Sequence, residues 1–200
     1  NFSLNSIISL EYLFEINKNY FFLEFVIDDF QIDKKEPGDL EPTEYAFMFE
    51  ISRKVSDNIR YNFNYTQIAN RTFNAPVNIY EKMIYKQFPI GHYLGNNFWK
   101  MDNKLIFSND RSLLSFNFTY LVRGEEALFS DFNTDFMNYS ISEGYSEEFP
   151  FGEKQKMNGF IVRYNNYRFS NLNLSTTISY WLESFLGNNG LNCSLSAEYS

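Results

Sequence analysis

Three short patches carry the residue types that could do chemistry in this chain. The first is Ile27-Asp28-Asp29-Phe30-Gln31-Ile32-Asp33, followed by Glu36, Asp39 and Glu41. Clustered carboxylates beside an amide can hold a hard cation such as calcium. They can equally accept hydrogen bonds from sugar hydroxyls, or form a solvated acidic loop mouth. The spacing does not fit an EF-hand loop, and no metal site is assigned. The second is Phe88-Pro89-Ile90-Gly91-His92-Tyr93-Leu94-Gly95-Asn96. Gly91 and Gly95 bracket a His and a Tyr, and glycine permits a positive φ or a close backbone approach. His92 reads as a donor to a ligand or as a turn histidine with a structural hydrogen bond. The third is Tyr120-Leu121-Val122-Arg123-Gly124-Glu125-Glu126. Arg123 sits on the polar parity of its run and reads as a partner of Asp28 or Asp29, or as a group that shapes passage of ions or sugars.

Composition narrows the classes. The 200 residues hold 17 Lys+Arg against 25 Asp+Glu, a formal charge of −8, with one His and one Cys. A nucleic-acid partner needs a basic face and is not expected. One Cys excludes an internal disulfide framework and a multi-Cys zinc site. One His excludes the paired-His zincin helix. No apolar run reaches the ~18 residues of a membrane helix. No cofactor and no catalytic group are expected. The chain opens at Asn1 without a basic-then-apolar leader, which reads as a processed or partial chain.

The elements that must position the patches show in the alternation. Aromatic residues make up 20% of the chain, with 23 Phe and 15 Tyr, yet mean hydropathy is negative. Rings spread among polar residues fit alternating strands. Phe21, Leu23, Phe25 and Ile27 alternate with Phe22, Glu24, Val26 and Asp28. The same holds for Tyr45–Ile51, Ile59–Tyr65, Trp99–Phe107, Leu114–Val122, Leu172–Leu182 and Leu191–Tyr199, and for a first run beginning at Phe2. The run over 157–168 is weaker, because Ile161 and Tyr167 fall on the wrong parity. Runs of about 10–15 residues exceed the ~5–6 of soluble strands and match the ~9–11 that cross a bilayer at a tilt. Aromatics gather near run ends, as interfacial girdles would.

Short links at 16–19, 54–58, 108–112 and 168–171 alternate with long ones at 28–44, 70–96 and 124–157. That is the rhythm of an outer-membrane barrel with short periplasmic turns and long outer loops. The expectation is an all-β chain: an antiparallel transmembrane β-barrel portion of about nine long strands over residues 1–200. The excursion 70–96 is expected to be a loop folded over or into the lumen. An odd strand count implies strands upstream of Asn1, so the segment reads as the C-terminal part of a larger barrel.

The motifs in order are Asp28-Asp29-Phe30-Gln31, Tyr65-Thr66-Gln67-Ile68-Ala69-Asn70, Pro89 to Gly95, and Arg123-Gly124-Glu125. Together they resemble the C-terminal half of the Wzi-like capsule assembly family, most densely over about 20–125. The resemblance implies a bacterial outer-membrane barrel of about eighteen strands, surrounded by outer-membrane lipid. It also implies a non-enzymatic role: binding capsular or exopolysaccharide at the cell surface and helping to assemble or attach the capsule. Asp28, Asp29, Gln31, His92, Tyr93 and Arg123 are the residues expected to contact polysaccharide. Gly91, Gly95 and Gly124 are expected at structural turns. Outer-loop rings such as Phe129, Phe132, Phe136 and Tyr139 would add stacking faces. The second reading is a porin or substrate-selective channel, with Lys100, Lys104, Arg60, Glu24 and Glu183 facing the lumen. A barrel enzyme would need a nucleophile such as Ser130, Ser140 or Ser142 near His92. A soluble β-domain would need bulges that break the long runs.

Overall fold

A computed structural model describes residues 7–29, 35–75, 82, 84–85, 88–89, 91–125, 128, 130–131, 133–169, 172–183 and 189–199. The expected start of the first run, at Phe2 and Leu4, lies outside them, as do Gln31, Phe129 and Phe132. The chain is all-β. Its strands are β1 (Ile8–Ile16), β2 (Asn19–Asp29), β3 (Glu44–Ser56), β4 (Ile59–Ile68), β5 (Ile84–Tyr85), β6 (Phe88–Pro89), β7 (Phe98–Asn109), β8 (Ser112–Arg123), β9 (Gln155–Phe169), β10 (Leu172–Glu183) and β11 (Asn189–Tyr199). The only helical turns among the described residues are 3-10 stretches at Pro37–Leu40 and Asp135–Asn138.

Nine of the strands form one antiparallel sheet in chain order, β1-β2-β3-β4-β7-β8-β9-β10-β11. β4 pairs directly with β7, so the segment between them adds no strand to this sheet. Its described residues include the short pairing of β5 with β6. β1 and β11 each have one neighbour in the sheet.

Tight turns close one end of the sheet. Asn17 and Lys18 both take positive φ, 51° and 62°, as a two-residue hairpin with right-handed strand twist requires. Asn19 accepts the Lys54 amide at 3.1 Å, tying that turn to β3. At Asp110–Arg111 the Asn109 side chain accepts the amides of Arg111 and Ser112, at 2.9 and 2.8 Å. The Lys54 ammonium holds the Asp57 carboxyl below its usual range at the third turn.

Register sorts the side chains onto two faces, because directly paired residues share a face and the period is two. One row runs Phe21, Ile51, Phe63, Asn103, Phe118, Phe160 and Tyr180. The next row on that face runs Leu23, Phe49, Tyr65, Met101 and Tyr120. The other face carries Glu50, Asn64, Asp102 and Thr119 in one row and Ser52, Asn62, Lys104 and Asn117 in the next. The weak run resolves as the 15-residue β9. Ile161 lies on the polar face, paired with Asn117 and Ser179.

Among the described residues no second layer covers the apolar face. Leu10 is 67% exposed, Phe160 44% and Phe118 39%. The buried core sits at the loop end instead. Val26, Ala46, Ile68, Phe98 and Leu121, from the polar parity at the strand ends, pack with Phe73 and Leu128 from the loops.

Candidate functional site

The described residues of the long loops fold together into a cap over the end of the sheet where β2, β4 and β8 finish. Its first layer extends the strand ladder. The Ala69 amide donates to the Tyr45 carbonyl at 2.9 Å, and the Gly124 amide donates to the Asn97 carbonyl at 2.9 Å. Asn97 then staples the next loop. Its Nδ2 donates to the carbonyls of Glu125 and Phe151, at 2.8 and 2.9 Å, and its Oδ1 accepts the Phe151 amide at 2.7 Å. Asn97 is fully buried, with φ 60°. Asn tolerates that left-handed conformation better than other non-glycine residues.

The second layer is a buried ion pair. Arg71 is fully buried and donates to both carboxylate oxygens of Glu147, at 2.8 and 2.9 Å. Its Nε donates to the Asn133 carbonyl at 2.8 Å, and the guanidinium lies 5.5 Å from the centre of the Phe136 ring. Burial opposes the Arg71 charge, but the bonds to Glu147 outweigh it and the net shift of the group is upward. Arg71 and Phe73 also take positive φ, 68° and 67°. Bulky residues rarely do so, at a cost of order 1–3 kcal/mol each. The Asn96 side chain, donating to the Thr72 carbonyl at 2.7 Å, helps hold the turn.

Asp28 has a structural role here. It is 5% exposed, and its Oδ2 accepts the Phe73 amide at 2.6 Å. That bond anchors the 70–75 turn to β2 and takes the carboxylate out of reach of a surface ligand. Asp29 pairs through its backbone with Glu44, after a register shift at Ile27/Asp29. Three strands, β3, β4 and β7, stand between β2 and β8, so the sheet separates Arg123 from Asp28 and Asp29. The geometry does not pair Arg123 with Asp28 or Asp29; instead Phe73 links the first patch to the second, its amide on Asp28 and its ring against Gly91, and Gly124 ties the third patch to Asn97 beside the second.

His92 and Tyr93 do lie together. The His92 ring packs 4.4 Å from Tyr93 and 4.8 Å from Phe98. His92 Nδ1 accepts the Leu94 amide at 3.1 Å, which makes Nε2 the proton-bearing nitrogen of the neutral ring. Burial, then the charge of Lys100, pull its pKa down to about 4. Tyr93 is 67% exposed, and the Lys100 ammonium donates to its hydroxyl at 3.1 Å. Lys100 also pairs with Asp102 at 2.8 Å.

Beside this cluster a cavity of about 330 Å3 opens between the polar face of β1–β4 and the loop. Glu11, Glu24 and Thr66 supply acceptors, Phe73 and Met48 supply apolar wall, and His92 closes one side. The size falls at the low end of the ~300–1,000 Å3 of small-molecule sites. The mixed lining can seat a ring with one apolar and one hydroxyl-bearing surface.

The three expected turn glycines each have a steric reason. A Cβ on Gly91 would lie 2.6 Å from the Phe73 ring, and one on Gly124 would lie 2.0 Å from the Phe151 carbonyl. Gly95 takes φ +77°. Of the expected loop rings, Phe136 is buried at 4% exposure, a wall for Arg71 and not a stacking face. Tyr139 is exposed. Ser140 Oγ donates to Glu143 at 2.6 Å and lies 3.1 Å from Ser142 Oγ, inside a local turn. Among the described residues no three His, Cys, Asp or Glu side chains gather as metal donors.

Sequence reading missed Arg71, Asn97 and Glu147. Asn70-Arg71 closes one quoted motif and Asn96-Asn97 follows another, so adjacency to the motifs was the available signal. Compared with family models, curated proteins and solved structures, the chain matches none.

Proposed function

We propose that this chain is a portion of a bacterial outer-membrane β-barrel whose capped end binds capsular or exopolysaccharide. On this reading it serves capsule assembly or attachment, as the resemblance to the Wzi-like family implies. The observation that carries the membrane half is the unlayered apolar face. Among the described elements none packs onto the row of Phe21, Ile51, Phe63 and Phe118, and apolar patches of that extent need another phase or a partner. Strands of 9 to 15 residues suit a bilayer crossing. Along β7 the apolar parity runs from Trp99 to Phe107, ~27 Å of strand at ~3.4 Å per residue. At a ~40° tilt that spans roughly 20 Å, near the ~25 Å lipid band of such barrels.

Near the cap the same face carries a linked aromatic row. Gln67 Nε2 donates to the Tyr45 hydroxyl at 2.6 Å, the Tyr65 hydroxyl donates to Gln67 at 2.7 Å, and Trp99 lies 5.1 Å from Tyr120. Rings with an apolar body and a polar tip suit the headgroup level. Asn103, inside the apolar band, accepts from the Tyr61 hydroxyl at 2.6 Å, which satisfies one of its polar atoms within the face.

The sugar-binding half rests on Tyr93. An exposed ring held by Lys100 offers a stacking face beside a cavity lined with carboxylates. A channel is the second reading, favoured by the charges on the polar face, such as Lys100 and Asp102. The cap packs onto that face and disfavours free passage. The test is titration of the protein in detergent with the polysaccharide of its own cell surface, wild type against Tyr93→Ala and His92→Ala. Saturable binding weakened about tenfold or more by Tyr93→Ala is expected. No binding, together with ion conductance in planar bilayers, would overturn the reading in favour of a channel.

A further inference from the structure

A second groove lies in the cap, away from His92, on the loop between β8 and β9. Its volume is about 680 Å3, well within the range of ligand sites. One wall is a pair of tyrosine rings, Tyr139 and Tyr145, with centroids 5.1 Å apart and planes inclined at 54°. Tyr139 is 44% exposed. Polar groups ring the space: the Asn138 amide, the Ser146 hydroxyl, and the carboxylates of Asp135 and Glu148.

The floor is rigid. The Tyr145 hydroxyl donates to Glu147 Oε2 at 3.1 Å, on the carboxylate that Arg71 holds from below. Phe136 packs against Tyr145 with ring centroids 6.3 Å apart. The Arg71–Glu147 pair therefore sets the second tyrosine in place before any ligand arrives. A preformed site avoids part of the ordering cost of binding.

We propose that this groove is a subsite for an uncharged glycan chain. A pyranose has one face of C–H bonds and a rim of hydroxyls. The ring of Tyr139 offers the flat apolar surface for the first, and the carboxylates and the Asn138 amide offer acceptors and donors for the second. Charge selects against acidic sugars. The described lining holds three carboxylates, Asp135, Glu147 and Glu148, and no Lys or Arg. Glu147 is paired with Arg71 and Glu148 with Lys154, which leaves Asp135 to give the lining a net negative charge. An anionic sugar here would face like charge, whereas a hydroxyl or an N-acetyl N–H finds an acceptor. At this volume the groove takes more than a single ring, which suits a stretch along a polymer.

The assignment rests on the glycan-binding reading above and locates a different contact for it. The test uses the whole protein in detergent and a panel of uncharged trisaccharides built on glucose, galactose, mannose and N-acetylglucosamine, with trigalacturonate as the acidic probe. Saturation-transfer NMR reads binding to wild type, Tyr139→Ala, Tyr139→Phe and Tyr93→Ala. At least one uncharged trimer binds saturably, trigalacturonate does not, Tyr139→Ala weakens binding tenfold or more, and Tyr139→Phe restores it. Binding that survives Tyr139→Ala but falls with Tyr93→Ala overturns the groove and leaves the first reading standing. A preference for trigalacturonate overturns the groove's charge logic. No binding by any trimer overturns the groove, while titration with the native polysaccharide still decides the first reading.

Discussion

The strands and the cap are built on opposite plans. In the strands, apolar side chains gather on one face of the sheet and stay exposed at positions such as Leu10 and Phe118. In the cap, polar and charged side chains are buried: Asn70, Arg71, Thr72, Asn74, Asn96 and Asn97 all have 4% exposure or less. A soluble β-domain reverses this, with rings inside a sandwich and polar loops outside. The contrast shows where each region finds its stability. The strands are held by ladder hydrogen bonds, and their apolar face has no cover from the described protein. The described cap residues are held by side-chain bonds to backbone and by the packing of Phe73 and Leu128 on the strand ends.

The largest effect should come from breaking the cap's own pair. Arg71→Met leaves the largely enclosed Glu147 carboxylate, 11% exposed, without its cation, at a cost of up to about 3–5 kcal/mol, the figure for fully buried pairs. Amide exchange in 70–75 and 145–151 should speed by two orders of magnitude or more, while exchange in β3 and β4 stays slow. If β3 and β4 loosen equally, cap and strands are one unit and the contrast fails.

Next is a charge placed on each face of one strand. Phe118→Arg puts a cation in the apolar row and should cost about 2–4 kcal/mol in bilayers if that row lies near the midplane. Asn117→Arg, one residue away on the polar face, should cost under about 1 kcal/mol. Denaturant unfolding from vesicles reads both, and equal costs would mean that the two faces meet the same solvent.

Asn97→Ala probes the join between the regions. It takes the partner from the Glu125 carbonyl and the Phe151 amide, while the Phe151 carbonyl keeps the Glu125 amide at 3.1 Å, with a cost of about 2 kcal/mol. Protection of the Glu125 and Phe151 amides should fall.

The smallest effect is acid loosening at His92, the only histidine in the chain. Its pKa falls from 6.5 to about 4 in the fold. Between those values the unfolded segment takes up a proton that the folded one refuses, so cap stability rises with pH from about 4 to 6.5 and is level above. After discounting for solvent screening, the change is of order 1 kcal/mol. NMR titration of the single imidazole checks the pKa, and exchange at Leu94, whose amide bonds Nδ1, checks the linkage.

Much of the strand plan was legible because alternation has a fixed period. Register follows once Phe21, Ile51, Phe63 and Phe118 must share a face. The exceptions, Ile161 on the polar face and Asn103 on the apolar one, are single residues that their neighbours outvote. Gly91, Gly95 and Gly124 were legible because only a missing Cβ fits those approaches. The cap was not legible. Arg71 and Glu147 lie 76 residues apart, and no period links them. Asp28 misled for the same reason: a carboxylate in an acidic patch reads as a surface ligand until the Phe73 amide is known to reach it.

The central claim is that the two faces of the sheet meet different phases, and spin labels test it most directly. Cys193 is replaced, and single cysteines are placed in turn along β8 from Phe116 to Tyr120, with the protein in lipid vesicles. The account predicts a period of two: oxygen collides most with labels at 116, 118 and 120, and a water-soluble nickel reagent with those at 117 and 119. Equal access of the nickel reagent at all five positions would contradict it.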